Sequence, residues 1–225
     1  MRKGDLLDGF LLATDSKTGE QMTDTQLHDE INTILFYGYD DPSSSLAWVF
    51  YLLAQNPAAM EQLQAEAKQV LGSRQPIFAD SGALKYTRMV IDEALRLYPP
   101  GWSILRDVQQ DDEIGGYRIP KGTSVMVNIY LTHRLADHWE SPEAFKPERF
   151  TPGRTDLRHR FAYMPFGVGA RQCIGKPLAY LEMQLALAML ARQFRLTLAP
   201  QNRFGMETLS SLRPKCGMLM QVDKV

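Results

Sequence analysis

The residues with the clearest chemical potential are Phe166-Gly167-Val168-Gly169-Ala170-Arg171-Gln172-Cys173-Ile174-Gly175, near the C-terminal end. A cysteine stands among glycines, an arginine precedes it by two positions, and a long apolar helical pattern follows it. Glycines let a backbone turn tightly and come close to a flat ligand. A nearby arginine favours the thiolate over the thiol. The helix that follows aims the positive end of its dipole back at the sulfur. Together these features predict a loop that holds an anionic sulfur against something bulky. The alternative is a buried structural cysteine in a glycine-rich turn.

Four further groups carry charge in suggestive places. Glu93-Ala94-Leu95-Arg96 puts an acid and a base at i and i+3, on one face of a helix. A solvated surface pair is one reading of that spacing, and a buried pair is the other, since Ile91, Ala94, Leu95 and Leu97 around it are apolar. Pro147-Glu148-Arg149-Phe150 offers a second guanidinium, and Arg106 a third, just after a Pro-Pro turn. Finally, Gly38-Tyr39-Asp40-Asp41-Pro42-Ser43 places two carboxylates beside a proline within a long helical pattern. Proline in a helix removes a bond to the carbonyl four residues back, here Gly38, and clashes with it. Either a continuous helix kinks at Pro42, or one helix ends there and Ser43-Ser44-Ser45 begins another. The 4 histidines (His28, His133, His138, His159) show no metal-ligand spacing. No P-loop or G-x-G-x-x-G dinucleotide motif is present.

The spacing F-x-x-G-x-R-x-C-x-G resembles the haem-ligand loop of cytochrome P450 enzymes, where a cysteine thiolate binds the iron. The E-x-x-R pair and the arginine of Pro147-Glu148-Arg149-Phe150 precede it in the order that family has. The resemblance implies the mostly α cytochrome P450 fold with a small β part, here as its C-terminal portion, since family members are roughly twice as long. It implies haem b (iron protoporphyrin IX) as cofactor, with Cys173 the axial iron ligand. Phe166, Gly169, Gly175 and Gly38 would lie against that cofactor, and Arg171 and Arg106 would hold its propionates, a task that suits the forked guanidinium. Glu93, Arg96 and Arg149 would form a buried ion cluster that locks the coil beneath the haem.

The same resemblance exposes a departure. Family members carry an acid followed by an alcohol in the long helix, to relay protons. Here Asp40 supplies the acid, but Asp41 and Pro42 stand where threonine and threonine or serine are usual. Asp40 is the expected proton carrier, with Asp41 a second carboxylate and Ser43 or Ser44 a substitute alcohol. The activity implied is monooxygenation of an apolar or amphipathic small molecule, with electrons from a separate ferredoxin or flavoprotein reductase. The altered relay keeps two alternatives open: a peroxide-using or isomerising haem-thiolate enzyme, and a non-catalytic remnant or one half of a two-piece protein, whose partner is the missing N-terminal half.

The 225 residues suffice for one large domain or two small ones, and the resemblance implies one partial domain over 1–225. A net charge of −1 gives no electrostatic case for nucleic acid. Cys173 and Cys216 lack C-x-x-C spacing, which argues against a disulfide framework and fits a reducing compartment. Met1-Arg2-Lys3-Gly4-Asp5 is polar where a signal peptide is apolar, and no apolar run reaches the ~18 residues of a spanning helix. A soluble, cytoplasmic chain is expected.

Residues 5–13 read as the end of a helix and 15–20 as a polar turn. Thr23 starts a long central helix, 23–55, whose segment 46–54 is apolar on every face and so must be buried all round, although 225 residues leave its outer faces without cover. Helices follow at 58–71 and 84–97, then β structure at 103–130. An irregular coil at 140–165 leads to the cysteine loop at 166–175, a final helix at 176–193 and short closing strands near 195–198 and 218–222.

Overall fold

A computed structural model describes residues 4–155 and 158–225. Met1 to Lys3, from the polar N-terminal stretch, and Asp156 and Leu157, from the coil, lie outside the described residues. The chain forms two compact units, one ending at Asp40 and one running from Asp41 to Val225.

The first unit holds helix α1 (Leu6–Leu12), a turn closed by a bridge between Thr14 and Gln21, and the first part of helix α2 (Asp24–Gln55). The turn is pinned by the Asp15 carboxylate, which accepts the amides of Lys17 and Thr18. Those bonds hold the Asp15 carboxyl below its ordinary range. Thr23 and Gln26 form a reciprocal cap at the start of α2: the Thr23 hydroxyl accepts the Gln26 amide, and the Gln26 side chain accepts the Thr23 amide.

Helix α2 runs through Pro42 without a break, so of the two readings of Asp41-Pro42 the continuous helix holds. Proline has no amide to give the Gly38 carbonyl. From Leu46 to Ala54 every residue is buried or half-buried, with Trp48, Val49, Phe50, Leu52 and Leu53 in the core. The expected lack of cover at 46–54 is therefore not found. The exposed apolar side chains of α2 are instead Leu35, Phe36, Tyr37 and Tyr39, in the first unit.

In the second unit, helices α3 (Pro57–Leu71), α4 (Lys85–Leu97) and α6 (Lys176–Gln193) pack with the end of α2 around Leu53, Leu63, Ile91, Met183 and Leu187. The N-terminus of α4 has no cap from its own sequence. Its free amides go to Glu66 of α3, whose carboxylate accepts Tyr86 N at 2.6 Å, Thr87 N at 2.8 Å and the Thr87 hydroxyl at 2.7 Å. Glu66 thus fixes α4 against α3, and α4 carries the E-x-x-R pair.

The β part consists of four antiparallel ribbons: β1 (Ser103–Asp107) with β4 (Ser124–Asn128), β2 (Asp112–Ile114) with β3 (Tyr117–Ile119), β5 (Phe194–Leu198) with β8 (Met220–Lys224), and β6 (Met206–Thr208) with β7 (Leu212–Pro214). Gly115 and Gly116, both at positive φ, make the tight turn between β2 and β3. A short helix α5 (Ile129–Thr132) follows β4. The coil after it contains a 3₁₀ turn at Pro147–Phe150.

Candidate functional site

The site is built from α4 outward. Glu93 and Arg96 are both fully buried and pair through two hydrogen bonds, Arg96 Nε to Glu93 Oε2 at 2.7 Å and Nη2 to Oε1 at 2.9 Å. Arg96 donates further to the carbonyls of His133 (3.0 Å), Pro142 (2.7 Å) and Ala144 (3.1 Å). Glu93 Oε1 also accepts the Lys146 amide at 2.8 Å and Arg149 Nε at 3.3 Å. Arg149 in turn donates to the Ser141 carbonyl. The structure therefore brings Glu93, Arg96 and Arg149 together, and the surface-pair alternative for E-x-x-R does not hold. A chain of irregular backbone has no ladder to satisfy its carbonyls; one guanidinium serves three of them.

His133, fully buried, carries this network to the cysteine loop. One ring nitrogen, Nδ1, lies 3.2 Å from the Arg96 carbonyl, and Nε2 accepts the Met164 amide at 2.9 Å. Nε2 accepts, so the ring is neutral and Nδ1 carries the proton. Burial pushes the pKa of His133 down to about 3, with the Arg96 guanidinium adding to the effect. The histidine's role is not legible in its spacing, because its partners lie 37 and 31 residues away in sequence. Among the described residues no group of three or more His, Cys, Asp or Glu could hold a metal ion. Trp139 closes the network from the side, its ring 4.8 Å from the Arg96 guanidinium carbon and 4.0 Å from that of Arg158.

The loop itself turns at Gly167 (φ 68°) and Gly169 (φ 74°), a left-handed geometry that disfavours side chains. Gly169–Arg171 is one 3₁₀ turn, and the Cys173 amide donates to the Phe166 carbonyl at 2.9 Å, closing the loop. The result presents Cys173 at the surface, with Ile174 beside it 93% exposed. The buried-cysteine alternative does not hold. Gly175 flanks the sulfur: a Cβ there would stand 3.7 Å from Cys173 Sγ. Helix α6 begins at once, at Lys176. Arg171 is exposed on the loop. The half-buried Phe166 ring packs on Tyr180 of α6 at 4.9 Å.

Strand β1 borders this loop. A Cβ on Gly167 would meet Ile104 Cδ1 at 3.4 Å. Arg106 is two residues further along β1, on the same face as Ile104. Its side chain is exposed and donates to the Leu105 carbonyl at 2.8 Å. An apolar cleft of about 220 Å³ lies at the other end of β1, lined by Trp102, Asn128, Tyr130, Leu131, Met206, Thr208 and Leu212. Gly38 and Asp40 belong to the first unit, where Asp40 is half-buried on α2. Asp41 opens the second unit, half-buried, its carbonyl accepting the Ser45 hydroxyl at 2.8 Å.

An exposed sulfur, a cradle of small residues around it, guanidinium groups on the loop and on the neighbouring strand face, and bordering apolar side chains together suit a flat, mostly apolar ring with acidic edges. The residues present therefore fit haem.

Comparison with known proteins bears on the same residues. The family model described as Cytochrome P450 matches residues 1–221. The "Cyclooctatin synthase" of Streptomyces melanosporofaciens is 39% identical over 88% of this chain and 43% of its own length. "Cytochrome P450 4X1" of Homo sapiens is 34% identical over 98% of this chain and 44% of its own. Among solved structures, the "cytochrome P450DA heme domain" superposes with a TM-score of 0.92 at 32% identity, covering 99% of this chain and 50% of that one. The chain thus spans about half the length of the relatives it matches. With a family match over nearly all its residues and a backbone that follows a solved haem domain throughout, the chain belongs to the cytochrome P450 family.

Proposed function

We propose that the chain is the cysteine-bearing half of a haem-thiolate monooxygenase acting on an apolar or amphipathic small molecule. Family membership implies haem as the cofactor. The observation that carries the reading is the exposure of Cys173 on a closed, glycine-turned loop. When bound, haem supplies oxygen activation and single-oxygen transfer, and a thiolate ligand pushes electron density toward the iron.

The chain's own residues divide the remaining work. Cys173 would supply the thiolate that binds the haem iron, its loop closed by the Phe166 carbonyl and followed at once by α6. Arg171 and Arg106 would hold the propionates, Gly169 and Gly175 would keep the near face free of bulk, and the Phe166 ring would lie against it. Glu93, Arg96 and Arg149 hold the coil that carries the loop. Asp40 carries protons, and Asp41 takes the place of the usual alcohol, either as a second carboxylate or by holding a water. The apolar cleft beside β1 receives part of the substrate. Electrons come from a separate ferredoxin or flavoprotein reductase, and the rest of the substrate pocket from the other half of the family's length. Two free, exposed cysteines fit a cytoplasmic setting.

Titrating haemin into the purified chain, reducing it and adding carbon monoxide tests this directly. A strongly red-shifted, thiolate-type Soret band, lost in Cys173→Ser, is the expected result. An unshifted, histidine-type band indifferent to Cys173→Ser refutes it. So does absence of haem uptake both by the chain alone and after addition of a polypeptide carrying the other half of the family's length.

One observation favours a second reading. Asp41 and Pro42 stand where the family has its alcohols, and the Ser45 hydroxyl is bound to the Asp41 carbonyl. A peroxide-using or isomerising enzyme needs no oxygen-activation relay. Turnover supported by peroxide without any reductase selects this reading. Under the first, Asp41→Thr raises product formed per electron consumed.

A further inference from the structure

A carboxylate next to Glu93 on α4 takes no part in the ion cluster. Asp92 is buried, and its Oδ1 accepts two tyrosine hydroxyls, Tyr163 at 2.8 Å and Tyr180 at 2.6 Å. The Tyr163 hydroxyl also reaches the Asp92 carbonyl at 3.0 Å. Oδ2 accepts Arg88 Nε at 2.9 Å, and the Arg88 guanidinium lies 3.2 Å over the Tyr180 ring. Both carboxylate oxygens are therefore engaged.

The position of the two tyrosines gives the cluster its meaning. Tyr163 lies just before Phe166, where the cysteine loop begins; Tyr180 lies in the second turn of α6, just after it ends. One carboxylate oxygen thus holds the chain on both sides of Cys173. Tyr180 also carries the Phe166 ring, so the loop's first residue is tied to the same point. Hydrogen bonds to an ionised acceptor are shorter and about twice as strong as neutral ones. A single acceptor shared by both ends fixes their separation better than two independent contacts.

We propose that Asp92 is a positioning residue for Cys173, clamping the two ends of its loop through Tyr163 and Tyr180 so that the sulfur is presented in one geometry. The consequence for haem ligation rests on the reading of Cys173 as the iron ligand; the clamp itself does not. Successive residues of α4 then divide two tasks: Glu93 holds the coil and Asp92 holds the loop.

Hydrogen exchange of the full chain, followed by mass spectrometry, tests the clamp without haem. In Tyr163→Phe/Tyr180→Phe, which keeps both rings, amides of 166–175 are expected to exchange roughly tenfold faster or more, the loss due to bonds to a charged acceptor. Strands β5 and β8 serve as the internal reference and should change little. Asp92→Asn, which keeps an acceptor oxygen but not the charge, should lose part of the protection, and Asp92→Leu should lose more. If the double variant does not fold, Tyr163→Phe alone is read in the same way. Loop exchange within about twofold of the wild type, or acceleration equal to that of the reference strands, overturns the proposal. In the haem-loaded protein the thiolate-type fraction of the carbon monoxide complex should fall in the double variant. A wild type without that band refutes the haem reading instead, while the exchange result still decides the clamp.

Discussion

Replacing Arg96 by methionine tests the network that carries the cysteine loop. The guanidinium makes five hydrogen bonds: two to Glu93 and one each to the carbonyls of His133, Pro142 and Ala144. Methionine approximates the stem and supplies none of them. Removing one partner of a buried ion pair costs about 3–5 kcal/mol, because the other charge is left behind. Glu93 keeps the Lys146 amide and Arg149 Nε, which places this part at the lower end. Each carbonyl left dry adds about 1–3 kcal/mol. With one of the three unsatisfied after relaxation, the loss is about 4–6 kcal/mol, comparable to the whole stability of a marginal domain. Arg96→Lys keeps the charge but replaces a planar fork by a single ammonium. It should lose about half as much, roughly 2–3 kcal/mol. Glu93→Leu/Arg96→Met removes both charges and should recover part of the loss of Arg96→Met alone. Urea unfolding followed by circular dichroism reads all four proteins. A stability of Arg96→Met within about 1 kcal/mol of the wild type would refute the argument that the coil hangs on this residue.

Two further outcomes follow from buried groups. His133 is depressed in the folded chain to about 3 from an ordinary value of 6.5. Below 6.5 the unfolded chain takes up a proton that the folded chain refuses, so stability falls with decreasing pH at up to about 1.4 kcal/mol per unit. Between pH 6.5 and 5 the His133 contribution is a loss of about 2 kcal/mol, which His133→Gln should remove from the urea midpoints; equal slopes in both proteins would contradict it. At Pro42, restoring an amide with alanine lets α2 complete its bond to Gly38. Proline costs about 3 kcal/mol in a helix interior, offset by less than about 1 kcal/mol from its stiffening of the unfolded chain. Pro42→Ala should therefore raise the thermal midpoint, and an unchanged or lower midpoint would mean that the local structure already compensates for the missing bond.

What the sequence made legible was local. The cysteine loop, the E-x-x-R pair and α6 are each written in a single short stretch, and α6 spans Lys176–Gln193. The continuous helix across Pro42 is one of two readings that local chemistry leaves open, and α2 takes it, running unbroken from Asp24 to Gln55. Ribbon β6–β7 escaped notice because three-residue strands carry too little alternation to register. Glu66 escaped because it caps a helix not its own, from 20 residues away. The Asp92 cluster and His133 depend on partners 31 to 88 residues distant, and no spacing rule connects them. Asp92 in particular reads as an ordinary surface acid four residues after Arg88, which is half true.

The long coil before the loop poses a problem that hydrophobic packing cannot solve. Its backbone is irregular, so its carbonyls point in several directions and lack ladder partners. Lysine, with one ammonium at the tip of a flexible stem, cannot reach three of them at once; arginine presents five donors in a rigid plane. Burying that plane requires a carboxylate beside it, and a Glu one turn earlier on the same helix arrives in register without ordering any further segment. Such a pair adds little net stability over an apolar replacement. What it does fix is the path of the coil, and through His133 and the Met164 amide that path sets where the cysteine loop begins. Loss of Arg96 should therefore displace Cys173 before it unfolds the helices, so in Arg96→Lys the thiolate-type fraction of the haem complex should fall further than the helical signal does.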